Sequence, residues 1–194
     1  MPLNIPSGTT NDISFGPGKI YMEAWTAATA GGVTPTTDVG FISEDGVTVE
    51  ITNETKDIMQ GNPKLVEYTF SQTQGVSVSL TSIEWDFDAF KLALGGSQNS
   101  TISSPWTGKS MKFGGDPLVL QSMIHIEHQM AVTGNTMNVY CWKAVADGGL
   151  SIPMGQDEHS FEMTFRLQRV TTGWVSADSL EYRSQLIEFA RQTA

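Results

Sequence analysis

The sequence predicts a mainly β fold: a β-sandwich or partial barrel flanked by one short helix and one C-terminal helix. Two observations lead to this prediction. Apolar and polar residues alternate with a period of two along several stretches, as they do in half-buried antiparallel strands. β-branched and aromatic residues fill many of the apolar positions, and such side chains suit a pleated surface. Residues 39–96 contain the longest series of these runs, and the rest of the chain is organised around them.

The chain is predicted to begin with an extended arm, residues 1–17, followed by a single β domain, residues 18–194. The arm is rich in Pro, Gly, Ser, Thr and Asn and has little to bury. A chain of 194 residues is long enough to bury a sizeable core in one domain. The opening residues lack the basic and apolar regions of a secretory signal peptide, and no stretch approaches the ~18 apolar residues of a membrane span.

Seven strands are predicted in the domain, near residues 18–26, 46–60, 63–71, 74–83, 117–130, 136–144 and 159–170. The connection over residues 53–63 is long for a hairpin loop, since tight hairpins use two to five residues. One interpretation is an exposed contact loop with Ile58 and Met59 at its tip. The other is a strand that continues to Met59 and turns at Gly61 and Asn62.

Two helices are predicted. The first spans residues 86–94, because Asp86 or Asp88 can cap its N-terminus and Gly95 and Gly96 can end it. The second spans residues 178–192, where apolar residues recur three or four positions apart. Residues 95–110 are predicted to be a surface loop because they contain Gly, Ser, Asn and Pro.

The charge of the chain argues against ordinary nucleic-acid binding. It has 21 Asp and Glu and 11 Lys and Arg, for a net charge of −10. Proteins that bind a duplex normally carry the opposite sign, because neutralising phosphates provides most of their affinity. Cys141 is the only cysteine, so an intramolecular disulfide and a thiolate metal cluster are excluded.

No catalytic motif is recognisable, and we expect neither an enzyme nor a bound metal or other cofactor. The sequence has no nucleophile elbow, phosphate-binding loop, zinc-protease motif or dinucleotide fingerprint. His125 and His128 form an H-x-x-H pattern within a predicted strand. Residues three apart on a strand point to opposite faces, so the two rings would not converge on one ion.

A resemblance to a known family rests on the organising stretch. The succession GFISEDGVTVEITNETKDI, an alternating strand pair and a Leu/Phe-rich helix closed by Gly-Gly resembles the major tail tube proteins of long-tailed, siphophage-type bacteriophages. The resemblance covers residues 18–96, and residues 117–170 by strand pattern alone. It implies a tail-tube-like fold and hexameric rings that stack into a hollow tube, assembled in the host cytoplasm and located in the virion tail.

The resemblance also implies the partners of the chain: other copies of itself and other tail proteins, with DNA passing through the tube without specific binding and no membrane binding by the subunit. The polar residues that alternate with the apolar ones are expected to share one sheet face, which in a tube would line the lumen without Lys or Arg. These candidates are Glu50, Thr52, Glu54, Glu67, Thr69, Ser77, Ser79 and Thr81. The candidates for inter-subunit contacts are Pro6, Phe15, Ile58 and Met59.

Two other functions are compatible with the sequence. An acidic β-sandwich that binds carbohydrate or mediates adhesion would use exposed aromatic residues in place of a lumen. A related ring protein at the tail end would share the predicted fold, and the sequence alone does not separate it from a tube subunit.

Overall fold

The computed structural model describes residues 18–25, 35–94, 97–102, 105, 107–114, 119–130, 135–152, 159–170 and 186–192. Within this part of the chain, ten strands and one helix are formed, and all paired strands are antiparallel. The predicted mainly β class is therefore confirmed. In chain order the elements are β1 (Lys19–Ala24), β2 (Thr37–Asp38), β3 (Ile42–Gln60), β4 (Leu65–Ser82), α1 (Phe87–Leu94), β5 (Ser97–Ile102), β6 (Gly108–Phe113), β7 (Gln121–Gln129), β8 (Thr136–Ala146), β9 (Phe161–Leu167) and β10 (Ile187–Gln192).

The main sheet has the strand order β2-β1-β7-β8-β9-β4-β3. β10 also pairs with β8, opposite residues 136–141, while β9 lies opposite residues 144–146 on the same edge. β5 and β6 form a separate two-stranded sheet. Only three residues connect β2 to β3, at opposite ends of the main sheet. A flat sheet of seven strands would be about 29 Å across at ~4.8 Å per strand, so the sheet must curl to bring its ends together.

The hydrophobic core lies between one face of the curled sheet and α1. Alternate residues of the strands point to this face, as a pleat requires: the core includes Ile20, Met22, Val78, Leu80, Ile124, Ile126, Phe161, Met163 and Phe165. Phe90 of α1 is fully buried against them, with its ring centroid 4.9 Å from that of Phe161. α1 therefore closes the core in the manner expected for a helix packed on a sheet.

α1 begins at a local capping signal. The Asp86 carboxylate accepts a hydrogen bond from the backbone N–H of Asp88 at 2.9 Å, and the Asp86 carbonyl accepts one from Phe90 at 3.0 Å. An aspartate in this position satisfies an N–H that lacks a partner within the helix and favours the positive end of the helix dipole. The short helix predicted at residues 86–94 is thus confirmed, with Asp86 as its cap.

The C-terminal helix prediction is wrong over residues 187–192, which form β10. These residues pair with β8 in register from Ile187 opposite Cys141 to Gln192 opposite Thr136. The sequence there fits both periods, because Ile187 and Phe189 also alternate with Glu188. The open part of the β8 edge supplies backbone partners, and this tertiary pairing overrides the local helical pattern. Residues 178–185 lie outside the described residues.

Two further predictions are corrected. The strands predicted at residues 63–71 and 74–83 are one continuous strand, β4, because β3 pairs along its whole length. The surface loop predicted at residues 95–110 contains β5 and the first residues of β6. The backbone hydrogen bonds of this small hairpin are made without an alternating apolar pattern, so its strands could not be predicted from the residue pattern. The N-terminal arm, residues 1–17, lies outside the described part of the chain.

Candidate assembly surface

β3 and β4 extend well beyond the rest of the sheet as a two-stranded hairpin. The other neighbour of β4, β9, pairs only with residues 77–82, and every residue from 50 to 74 is exposed. We call residues 51–74 the projecting hairpin. Its strand β3 continues to Gln60 and the chain turns over residues 61–64, with Gly61 at a φ of 97°. The second interpretation of residues 53–63, a strand that turns at Gly61 and Asn62, is the correct one.

A β-bulge divides the projecting hairpin into two parts. Glu54 lies opposite Thr73, whereas Thr55 lies opposite Ser71, so Gln72 is an extra residue in β4. An extra residue in one strand exchanges the faces of all residues beyond it. β3 has no extra residue at this point, so its even-numbered side chains stay on one face throughout.

The even-numbered face of β3 changes from polar to apolar at the bulge. On the inner side of the bulge the even-numbered face of β3 is polar: Glu50 lies opposite Ser77 and Thr48 opposite Ser79. Beyond the bulge the same face carries Lys56 opposite Phe70, Ile58 opposite Tyr68 and Gln60 opposite Leu65. We call the inner part the inner polar face and the outer part the distal face. The distal face is apolar apart from Lys56 and Gln60, and all of its residues are exposed.

The opposite side of the outer hairpin is largely polar. Thr69 Oγ1 donates a hydrogen bond to Asp57 Oδ1 at 2.6 Å, and Ser71 Oγ donates one to Asn53 Oδ1. Met59 and Val66 lie opposite each other beyond a second bulge and form an apolar pair on this side. Ile58 and Met59 are 50% and 57% exposed and lie on opposite faces, so they cannot contact one flat partner surface together.

The eight lumen candidates do not all share one face. Six of them lie on the inner polar face and its continuation along β4: Glu50, Thr52, Glu54, Ser77, Ser79 and Thr81. Thr69 lies on the other side with Asp57, and Glu67 is the extra residue of the second bulge. The prediction failed here because it assumed an unbroken alternation along β4. The inter-subunit candidates Pro6 and Phe15 lie outside the described residues.

The neighbouring strand β9 extends the inner polar face and adds a cation to it. Thr164 lies opposite Ser79, with 3.2 Å between their hydroxyl oxygens, and Arg166 lies opposite Ser77. Arg166 is exposed, and Glu162, four residues earlier in β9, lies on the same face. The expectation that this surface lacks Lys and Arg is therefore wrong. It was based on β3 and β4 alone, and the pairing with β9 was not visible in the sequence.

A pocket of about 240 Å³ lies between α1 and the β1 edge of the sheet. We call it the α1–β1 pocket. Its apolar lining residues are Met22, Ala24, Val39, Ala89, Leu92 and Leu120. Its charged lining residues are Glu23, Asp86, Asp88 and Lys91. Lys109 Nζ lies 3.6 Å from Asp88 Oδ2, but both side chains are exposed, so this pair screens the acids only weakly.

A row of stacked aromatic rings lies on the sheet face opposite α1. Tyr21, His125, Tyr140 and Trp142 stack in succession, with centroid distances of 5.6, 4.6 and 5.3 Å. His125 is buried and its Nε2 is 3.0 Å from Asn138 Oδ1. Burial, and then the charges of Glu188 and Glu127, raise the pKa of the Tyr140 hydroxyl. The stacking spans three strands and supports a structural role for the row.

Two further observations concern Cys141 and the metal-binding side chains in the described part of the chain. Burial raises the pKa of the Cys141 thiol to about 12, so the thiol is protonated and unreactive near neutral pH. Among the described residues there is no group of three His, Cys, Asp or Glu side chains placed to hold a metal ion.

Comparison with known proteins adds no family to these observations. No protein-family model matches the chain. A search of curated proteins also found no match. Of the described residues, no helix has both the length and the hydropathy needed to cross a bilayer.

Proposed function

We propose that the chain is a structural virion protein, a subunit of hexameric rings that stack into a hollow phage tail tube through which DNA is delivered. The observation that carries this proposal is the projecting hairpin, which is exposed on both faces. An isolated two-stranded hairpin is at best marginally stable in water. Contact with other subunits would give this one the packing that its own domain does not provide. The hexameric number and the tail location come from the family resemblance of residues 18–96.

The edges of the main sheet support assembly into closed rings. β3 is an end strand of 19 residues, and within the described part of the chain only β4 pairs with it. The other end strand, β2, has two residues and covers only part of β1. Long open edges promote aggregation unless another chain pairs with them or covers them. A repeated contact between unlike edges produces a ring when the rotation closes, and ring closure removes these edges.

The inner polar face is the proposed wall of the lumen. It carries Glu50 and Glu54, it is exposed along β3 and half-buried along β4, and it belongs to a chain with a net charge of −10. In a ring each carboxylate is repeated by symmetry, which produces a negative potential that repels phosphates. Arg166 reduces this potential locally. DNA would then pass through the tube without stable binding, and other tail proteins would be the remaining partners.

Imaging of the purified protein by negative-stain electron microscopy tests the proposed function. Tubes or stacked rings of uniform bore are the expected result. Single rings that never stack would favour a related tail-end ring protein. Dispersed monomers that bind sugars would contradict the proposal and favour the acidic carbohydrate-binding module.

The double variant Glu50→Lys and Glu54→Lys is expected to make assembled tubes retain duplex DNA at low salt. Lysines in the wall would exchange repulsion for phosphate contacts, and binding through released counterions weakens steeply as salt rises. Co-sedimentation of tubes with DNA over a salt series measures the effect. The matched control, Asp57→Lys with Glu188→Lys, makes the same charge change away from the inner polar face, because Asp57 is on the other side of the hairpin and Glu188 lies opposite Tyr140. Equal DNA retention by both variants would remove this face from the account of the lumen.

A further inference from the structure

We propose that the distal face of the projecting hairpin docks into the α1–β1 pocket of a second copy of the chain. This inference rests on the proposed function, because it requires the chain to self-assemble. The two surfaces that meet are the distal face of one copy and the α1–β1 pocket of the other. The hairpin contributes Lys56, Ile58, Leu65, Tyr68 and Phe70, and the pocket contributes residues of β1, β2, α1 and the segment before β7.

The distal face has the properties of a contact surface. Ile58, Leu65 and Tyr68 are 50%, 66% and 63% exposed, and Phe70 joins them as the cross-strand neighbour of Lys56. A contiguous apolar patch of this kind on a soluble protein marks an interaction site. Tyrosine and other large apolar side chains are also the residues that carry most binding energy when a partner excludes water from them.

A second copy must supply the pocket, because a hairpin cannot reach the pocket of its own subunit. Val39 lines the pocket three residues before β3 begins, whereas the distal face begins at Lys56. Ile42 and Lys56 are 14 positions apart in a continuous strand. At ~3.3 Å per residue this strand carries the distal face about 45 Å from its base. The hairpin would have to fold back on itself to reach its own α1.

The pocket complements the distal face in polarity and charge. Its apolar residues, including Met22 and Leu92, would receive the apolar side chains of the hairpin. Three acids and one lysine line the pocket, so its net charge is negative and opposite to that of Lys56. The cross-strand pairs of the distal face contain no acid that the pocket would repel. Its volume of about 240 Å³ is below the ~300–1,000 Å³ of typical small-molecule sites, which suits an inserted side chain.

Cross-linking between two singly substituted proteins tests the docking. One protein carries Ile58→Cys on the distal face and the other carries Thr37→Cys at the pocket, and a short bis-maleimide joins them after mixing. Only contact between copies yields the mixed product, and the native Cys141 is buried and protonated. The matched control is Asp57→Cys in place of Ile58→Cys, since Asp57 is the adjacent residue on the opposite face. We expect the mixed product with Ile58→Cys and little with Asp57→Cys.

A charge exchange provides a second measurement. Lys56→Glu should weaken association about fivefold, the effect of reversing one exposed ion pair worth about 1 kcal/mol. Adding Glu23→Lys in the pocket to the Lys56→Glu variant should restore most of the lost affinity. A further loss of affinity in this double variant would contradict the docking. Tubes that form while both cysteine variants cross-link equally would overturn the docking and leave the proposed function standing. Wild-type protein that remains monomeric would overturn both.

Discussion

Replacing residues 55–72 with the dipeptide Asn-Gly is expected to abolish assembly and leave the domain folded. Glu54 and Thr73 are directly opposite each other, and Asn-Gly closes such a pair as a two-residue hairpin turn. Every residue removed is exposed, so the core should lose no packing. Association should fall by more than about 30-fold, since even one interface residue of the hot-spot class contributes at least ~2 kcal/mol. Light scattering and thermal unfolding followed by circular dichroism measure the two outcomes.

A pair of double variants shows which side of the hairpin is responsible. Ile58→Asp with Tyr68→Asp places two carboxylates on the distal face at opposed positions, and assembly should be lost. Thr55→Asp with Ser71→Asp places two carboxylates at opposed positions on the other face, and assembly should persist. Both pairs add like charges across the strands, so any local destabilisation of the hairpin is matched. Tubes from the Asn-Gly variant would show that the projecting hairpin has no part in assembly.

The faces of the projecting hairpin could not be predicted from the sequence. Apolar residues occupy even positions in both halves of β4, at Val66, Tyr68 and Phe70 and again at Val76, Val78 and Leu80. A strand without interruption would place all six on one face. The pairing with β3 determines where the extra residue Gln72 falls, and that pairing is a property of two strands together. The polar run of residues 71–74 is the weak signal in the sequence that such an interruption is tolerated there.

Local signals explain which helix was predicted correctly. α1 has an aspartate cap before its first residue and two glycines after its last, and both act within a few residues of the helix ends. The C-terminal segment also has a cap candidate, Asp178, but over residues 187–192 its spacing fits a strand as well as a helix. The vacant stretch of the β8 edge decided its structure, and nothing in residues 178–192 indicates that this edge is open.

The α1–β1 pocket was also beyond prediction. Its lining comes from residues near positions 23, 38, 90 and 120, which meet only because the sheet curls and α1 packs across β1. Asp86 and Asp88 were recognised as helix-capping candidates, and this role is compatible with their position at the pocket. What the sequence provides for the pocket is therefore its chemistry, while the topology provides its location.

Phe161→Ala is expected to cost about 3–5 kcal/mol of the free energy of unfolding, the usual range for a fully buried phenylalanine. The Phe161 side chain is 0% exposed, and its ring centroid lies 4.9 Å from those of both Trp85 and Phe90. The truncation would leave a cavity beneath α1 that the surrounding rings can fill only in part. For a domain of this size the midpoint of thermal unfolding should fall by roughly 6–20 °C. Urea denaturation monitored by tryptophan fluorescence measures the free energy directly.

The control for this prediction is Phe113→Ala, the same truncation at a side chain that is 68% exposed. It should change the free energy of unfolding by no more than about 0.5 kcal/mol. A loss below 1 kcal/mol at Phe161 would mean that α1 does not depend on this aromatic cluster. Because Phe161 supports α1 through Phe90, and Ala89 and Leu92 of α1 line the pocket, its truncation should also weaken assembly in the folded protein. Phe113→Ala should assemble normally, which would assign the weaker assembly to the position of α1.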